Sequence, residues 1–267
     1  METYRLKNIA IFILLLLNLW LLVLLGFQYL QTRQADSGVD ERLRSLYEAG
    51  QLALAPSVDA LQDPMPPLAL SRRVEAEALM AAALLGEGAQ AVSQGGGIYS
   101  YSTEAGSIQF RSGGSFDGLD LRRQVEDPEA FAQDFCRRFG YEDLEVQAAG
   151  AALTVTAGQR LLGVPIYGCA VTLHFEGGVL TAVSGSHVSS EDAVTEPGEQ
   201  LSCATALLRF LDFRAAAGVV CSEVREVRCV YELQSNSAAL RLHPLWQIDT
   251  DTYRYFVDCA TGAVTRQ

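Results

Sequence analysis

An uninterrupted apolar stretch near the start, Ile9 to Leu30, constrains this chain more than any other feature. The run IAIFILLLLNLWLLVLLGFQYL carries no charge and has only Asn18 and Gln28 as strongly polar members. As a helix rising ~1.5 Å per residue it would reach about 33 Å, against about 30 Å of bilayer hydrocarbon. Tyr4 and Tyr29 bracket it, where amphipathic rings favour the headgroups. A cleavable signal peptide has a shorter apolar region, about 7–15 residues, followed by small residues at the cleavage site. The stretch Gln28-Tyr-Leu-Gln-Thr-Arg-Gln offers no such site. The reading is an uncleaved anchor over 9–30.

Arg5 and Lys7 precede the run, and only Arg33 follows it closely, with Arg42 and Arg44 further on. The positive-inside tendency then places the short N-terminus, 1–8, in the cytoplasm and the bulk of the chain outside a plasma membrane crossed once. Within such a span Asn18 is the informative residue. An amide in an apolar core is unfavourable when unpaired, and across helices it contributes ~0.6–2 kcal/mol. With Leu14, Leu15, Leu21, Leu22 and Leu25 it defines a helix face offered to a partner span. Simple tolerance of one amide in a strongly apolar helix carries equal weight.

Without the anchor roughly 235 residues remain, enough for one large domain or two to three small ones. Nearly half the chain is apolar, which argues against disorder. The net charge of −12 argues against nucleic acid, which is held by clustered Lys and Arg, and against a basic patch for anionic lipid. Lys7 is the only lysine. That excludes a P-loop lysine, a Schiff-base lysine and a Ser-Lys dyad from the rest of the chain. The six cysteines (136, 169, 203, 221, 229 and 259) include no CxxC and fit no zinc spacing. Cys169 and Cys229 alternate with apolar strand residues, and Cys136 and Cys203 fall in helical patterns, so buried free thiols outweigh bridges. Any bridge would lie among Cys221, Cys229 and Cys259.

Along the chain, a polar segment over 31–50 suggests a helix at the membrane surface, and a Pro-bearing loop follows (Pro56, Pro64, Pro66, Pro67). Ser71 caps an expected helix, Arg72 to Leu85, with Val74, Ala78, Leu79, Ala82 and Leu85 as its apolar stripe and Gly86 as its end. Two short runs, Ile98–Ser102 and Ser107–Arg111, read as a hairpin. Asp127-Pro128 opens a helix whose stripe is Phe131, Phe135 and Phe139, and Gly140 closes it. Strands follow near 144–147, 152–157, 166–175 and 179–183. A second helix, Glu199 to Arg214 with Leu201, Ala204, Leu208 and Leu211 on one face, precedes strands at 223–234, 239–249, 253–258 and 263–266. Helix plus antiparallel strands, twice, predicts an α+β repeat in which each helix covers its sheet.

Candidate chemistry is sparse. His174 points away from the Leu173/Phe175 face and reads as solvent-facing. His187, in Ser184-Gly-Ser-His-Val, is the one Ser/His cluster to inspect, although sequence neighbours rarely build a triad. His243 precedes Pro244 at a strand entrance and reads as structural. Gly113-Gly-Ser115-Phe-Asp117 lacks the last glycine of a nucleophile elbow. Asp249, Asp251 and Asp258 occupy turns without a Glu at EF-hand spacing, so they read as backbone-binding acids rather than a calcium site. Trp246 and Ile248, on the face of Leu240 and Leu242, read as core. No catalytic, cofactor-binding or metal-ligating set is assigned, and no cofactor is called for.

The C-terminal passage Leu245-Trp-Gln-Ile-Asp-Thr-Asp-Thr-Tyr-Arg-Tyr-Phe-Val-Asp-Cys-Ala-Thr-Gly-Ala-Val resembles the end of PepSY-like domains, which carry P-x-W-x-I and then (Y/F)-x-V-D-x-x-T-G-x-V. Its physical content is a hairpin and a turn in which Gly262 takes positive φ and Asp258 binds backbone amides. Gly163-Val-Pro-Ile-Tyr with Val171-Thr-Leu-His-Phe-Glu-Gly-Gly-Val-Leu-Thr-Ala-Val-Ser-Gly is similar to the matching hairpin of YycI and YycH proteins, of which YycI is nearer in length and C-terminal unit. The opening Arg5-Leu-Lys-Asn before one anchor also fits. The resemblance covers the anchor and 127–267, and 31–125 only in a general way.

It implies an N-terminal anchor, a juxtamembrane segment (31–50), an α+β region (51–125) and tandem PepSY-like units at 126–195 and 196–267. It further implies a non-enzymatic regulator that associates with a cell-wall-responsive sensor histidine kinase, and with a paralogous single-pass regulator, through its span and exported domain. A PepSY-type module restraining an exported protease is the alternative. An exported enzyme ranks third.

Overall fold

The computed structural model describes residues 38–189, 191–235 and 239–267, with Leu17, Asn18 and Trp20. Helix α1 (38–49) comes first. Then follow β1 (Ala53–Leu54), β2 (Leu68–Leu70), α2 (Val74–Leu85), β3 (Gln90–Gly95), β4 (Ile98–Thr103), β5 (Gly106–Phe110), β6 (Ser115–Gly118) and β7 (Arg123–Gln124). Helix α3 (Pro128–Arg138) leads to β8 (Tyr141–Ala149), β9 (Ala152–Leu161), β10 (Val164–Glu176), β11 (Val179–Ser186) and β12 (Val194–Thr195). Helix α4 (Cys203–Ala217) precedes β13 (Glu223–Ser235), β14 (Leu240–Thr250), β15 (Arg254–Asp258) and β16 (Val264–Arg266).

Helices α3 and α4 begin where a side chain takes up their orphan amides. Asp127 accepts from Glu129 N and Ala130 N, both at 3.1 Å, with Pro128 at the first helical position of α3. Ser202 Oγ accepts from Thr205 N at 3.3 Å and starts α4, which Gly218 ends at φ 64°. Helix α2 starts at Arg73, with no side-chain cap, rather than at the expected Ser71.

Two strand sets are joined through β10. One runs β8-β9-β10-β11-β6-β5-β4-β3, all antiparallel. Helices α2 and α3 supply Met80, Ala81, Leu84, Leu85, Ala132, Phe135 and Cys136 to its core. The other centres on the long β13–β14 hairpin, with β2 and β15 on β14 and β16 beyond. Its core takes Leu43 and Tyr47 from α1 and Cys203, Ala206, Leu207 and Phe210 from α4, around Trp246 and Ile248. Tyr47 donates to Leu207 O at 2.8 Å, so the helix expected at a membrane surface is tied into this core.

Three expectations are corrected here. The expected fold class, a transmembrane helix followed by tandem helix-on-sheet units, gives way to one mixed network of sixteen hydrogen-bonded strands. At Ile166 and Tyr167, β10 leaves β9 and pairs in parallel with Tyr231 and Glu232 of β13, while Gly168 bends the strand at φ 73°. The N-terminal strands are spent on both sets: β1 on β13, β2 on β14, and β3–β6 beyond β11. Alternation in sequence finds strands but carries no information about which of them pair.

The single-pass plasma-membrane placement is the second. Among the described residues no helix is long and apolar enough to cross a membrane. Crossing needs about 20 apolar residues in one helix, whereas α2, α3 and α4 have 12, 11 and 15 and spend their apolar sides on sheets. The 9–30 run lies outside the described residues except for Leu17, Asn18 and Trp20, which are helical and exposed.

The third concerns helix faces. Helix α2 buries Met80, Ala81, Leu84 and Leu85 and leaves Leu79 55% exposed. Helix α4 buries Cys203, Ala206, Leu207 and Phe210, with Leu208 exposed. Beyond Glu77 helix α2 is apolar on every side, and the first two turns of α4 before Arg209 carry no charge, so periodicity alone leaves the buried side of each free to rotate.

Candidate functional site

Helices α2 and α3 share a core but leave an open groove between them. Its first part, about 510 Å³, is lined by Leu79, Ala82 and Ala83 of α2 and by Phe131, Phe135 and Arg138 of α3. Leu79 and Arg138 also border a second cleft of about 410 Å³ that continues past Phe139 to Gln159, His187 and Val188. The result is a long, open trough in which Leu79, Phe131 and Phe135 lie among charged rim residues that include Glu87, Asp134, Arg137 and Glu191.

Arg123, on β7, fixes one end. Its guanidinium donates to Ala83 O at 2.6 Å, at the electronegative C-terminus of α2, and lies 5.1 Å from the centre of the Phe131 ring. Charge at a helix C-terminus and a cation over an aromatic face are both favourable. Burial holds the Arg123 pKa below its usual value. The Arg138 guanidinium lies 5.4 Å from the centre of the Phe139 ring. Arg137 pairs with Asp134, and Arg160 with Asp143 at 2.8 Å.

A buried amide fixes the other end. Gln159 of β9 donates from Nε2 to Val188 O at 2.8 Å and accepts from Val188 N at 3.0 Å. Cys169 Sγ donates to the same Oε1 at 3.1 Å. Gln159 thus replaces the missing strand partner of the chain just past β11. Tyr141 Oη donates to Ser186 O at 2.7 Å, and this oxygen, 3.2 Å from Cys169 Sγ, shares the one thiol hydrogen with Gln159 Oε1. His187 sits over this latch, against Phe139 and Tyr141 at 6.0 and 5.9 Å between ring centres. Burial pushes its pKa down to about 4, outweighing a hydrogen bond to the Phe139 backbone. At neutral pH the imidazole is uncharged.

Among the described residues neither Ser184 nor Ser186 hydrogen-bonds the His187 ring through its hydroxyl, so the Ser/His cluster is an arrangement of backbone carbonyls. His174 is exposed and lies 3.1 Å from Thr154 Oγ1. His243 lies 2.9 Å from Asp258, which also accepts from Ala260 N and Thr261 N at 2.8 Å each. Burial raises the Asp258 pKa, but the two amides and His243 outweigh it and hold the carboxyl below its usual value. Gly262 has φ 73°, as that turn requires. Asp251 binds the Ser222 amide and hydroxyl, and Asp249 pairs with Arg254 at 2.7 Å. Among the described residues no three His, Cys, Asp or Glu side chains gather as metal ligands.

All six cysteines are free thiols, buried except for half-buried Cys229. Burial pushes Cys136 up to about 11 and Cys169 and Cys203 up to about 12, far from the low values of reactive cysteines. Trp246 is fully buried, with its indole N–H on Leu201 O at 2.8 Å. Of the span face, Leu14, Leu15, Leu21, Leu22 and Leu25 lie outside the described residues, and Asn18 is exposed. Sequence reasoning missed Arg123 and Gln159, since a lone Arg or Gln carries no motif, and it placed Leu79 in the core.

No protein family matches the sequence, and no curated protein does. The chain is similar to an uncharacterized protein from Eubacterium rectale ATCC 33656, at 12% identity over 80% of this chain and 85% of that one, with a TM-score of 0.42. It is also similar to the YpeB C-terminal domain of Bacillus megaterium, at 14% identity over 74% of this chain and 98% of that domain, with a TM-score of 0.33. Neither bears a YycI or YycH name. At these scores the likenesses carry no argument about function.

Proposed function

We propose that this protein is a non-enzymatic regulatory module that acts by holding a partner protein, with the α2–α3 groove as the contact. The observation that carries the reading is Leu79, a large apolar side chain left 55% exposed at the middle of this trough. Single exposed apolar residues are ordinary, but one that joins other apolar side chains in a concave trough is a feature of binding sites. Several polar groups around it are engaged within the chain: Arg123 with α2, Gln159 with Val188, Asp134 with Arg137, and His187 neutral in its aromatic seat.

The PepSY-like and YycI/YycH resemblance of the C-terminal half names a sensor histidine kinase as that partner. Regulation then requires the groove to bind one signalling state of the kinase more tightly than the other. The test is chemical crosslinking of the full chain in its native cell, with capture and mass spectrometry, beside a Leu79→Glu version. Recovery of a sensor histidine kinase, lost in Leu79→Glu, is the expected result. Recovery of a protease in its place selects the restraining module. Kinase capture indifferent to Leu79→Glu removes the groove from the contact.

A further inference from the structure

The charged groups along the α2–α3 groove are not all spent inside the chain. Of its arginines, Arg137 pairs with Asp134 and Arg160 with Asp143, whereas Arg123 and Arg138 pair with no carboxylate among the described residues. Of its acids, Asp134 is taken by Arg137 and Glu191 by Arg73 at 3.0 Å, which leaves Glu87. Two guanidinium groups against one carboxylate make the groove locally positive, in a chain that carries −12 overall.

Arg123 is the more informative of the two. Its Nη1 donates to Ala83 O at 2.6 Å and lies 3.4 Å from Ala82 O, while Nε and Nη2 donate to no group among the described residues. That free edge carries the two parallel N–H groups that match the two oxygens of a carboxylate. Strand β7 pins the backbone beside Leu180, and the Phe131 ring centre lies 5.1 Å from the guanidinium carbon, so the fork is held in place from two sides. Burial lowers the Arg123 pKa and no acid of the chain opposes it. Arg73, Arg160 and Arg254 are shifted the other way, first by hydrogen bonds to Asp192, Asp143 and Asp249.

A partner that settles over Leu79 and Phe131 covers Arg123 as well. Covering it with apolar or basic residues alone buries an unpaired charge, which is strongly unfavourable. A carboxylate on the free fork turns the same burial into a charge-assisted pair. We propose, on the footing that the groove is the partner contact, that the segment it holds presents an aspartate or glutamate side chain to Arg123, flanked by large apolar residues over Leu79 and Phe131. The negative charge elsewhere on the chain does not bar such a segment, since exposed charges more than about 8–10 Å away are largely screened at physiological salt.

The test selects binders from a displayed library of random peptides on the immobilised full chain. Screening the clones against Leu79→Ser removes those bound elsewhere. The expected peptides carry Asp or Glu between Leu, Ile or Phe. Replacing that acid by its amide in the synthetic peptide leaves the protein untouched and should weaken binding by about ten- to a hundredfold. On Arg123→Met, checked for folding by a thermal melt, the acid and amide peptides should bind alike. If that chain does not fold, Arg123→Lys, which keeps the charge and loses the fork, should shrink the same ratio. Peptides that need Leu79 but carry no acid, or that bind equally as acid and amide, overturn the carboxylate and leave the groove as a contact. A library that yields no peptide sensitive to Leu79→Ser overturns the groove itself, and the carboxylate with it.

Discussion

Gln159 is the residue on which the end of the groove stands, and its removal gives a sharp test. Val188 is 3% exposed, and both of its backbone groups are satisfied by the Gln159 amide at 2.8 and 3.0 Å. In Gln159→Ala a buried N–H and a buried C=O lose their partners. Each costs about 1–3 kcal/mol, so the expected loss is about 2–6 kcal/mol, read as a lower urea midpoint with an unchanged slope.

Gln159→Glu sharpens the reasoning. A protonated carboxyl can donate to Val188 O and accept from Val188 N, reproducing the amide. An ionised one turns acceptor against acceptor in a buried site, so its folded-state pKa rises above the unfolded value of ~4.3. Stability is then near wild type below that pH and falls as pH rises, by up to about 1.4 kcal/mol per unit until the raised pKa is passed. Unfolding midpoints measured from acid to neutral pH should therefore converge with wild type at the acid end. A Gln159→Ala loss under about 1 kcal/mol, or a Gln159→Glu deficit independent of pH, would show that the amide does not hold Val188.

Other outcomes follow from the same structure. His187 has its pKa depressed to about 4 by burial, so the stability it contributes is full above its unfolded pKa of ~6.5 and falls by up to about 3 kcal/mol as pH drops through the folded value; the difference between wild type and His187→Phe in acid titrations of unfolding should carry that slope. Tyr47→Phe removes the hydrogen bond to Leu207 O at about 1 kcal/mol, and Tyr47→Ala should cost about 3–5 kcal/mol and release the helix at 38–49 to hydrogen exchange; an unchanged exchange rate would detach that helix from the C-terminal core. A Cβ at Gly185 would meet Ala170 O at 2.3 Å, so Gly185→Ala must part β10 from β11, at about 1–3 kcal/mol in a thermal melt. Leu79→Glu alone should leave the melt within about 0.5 kcal/mol, since a half-exposed groove residue contributes little to folding.

What the sequence determined by itself is local. The Asp127-Pro128 boundary, the Glu176-Gly-Gly turn, the Asp258–Gly262 turn and the strand alternation from Ala152 onward each follow from chemistry within a few residues, where one side chain meets its own neighbouring amides. Buried thiols and the core place of Trp246 were legible for the same reason, because alternation names the apolar face. The tertiary structure decided everything set by partners distant in the chain. Sequence could not show β10 changing neighbours at Ile166, because the parallel pair with Tyr231 joins residues some sixty-five positions apart. Nor could it orient α2, which beyond Glu77 is apolar on every side; only the sheet beneath fixes Met80 as core and Leu79 as groove. The roles of Gln159 and Arg123 arise wholly from the backbone groups that folding brings to them, and hydrogen-bond partners supplied by another segment leave no pattern in the residues around the donor.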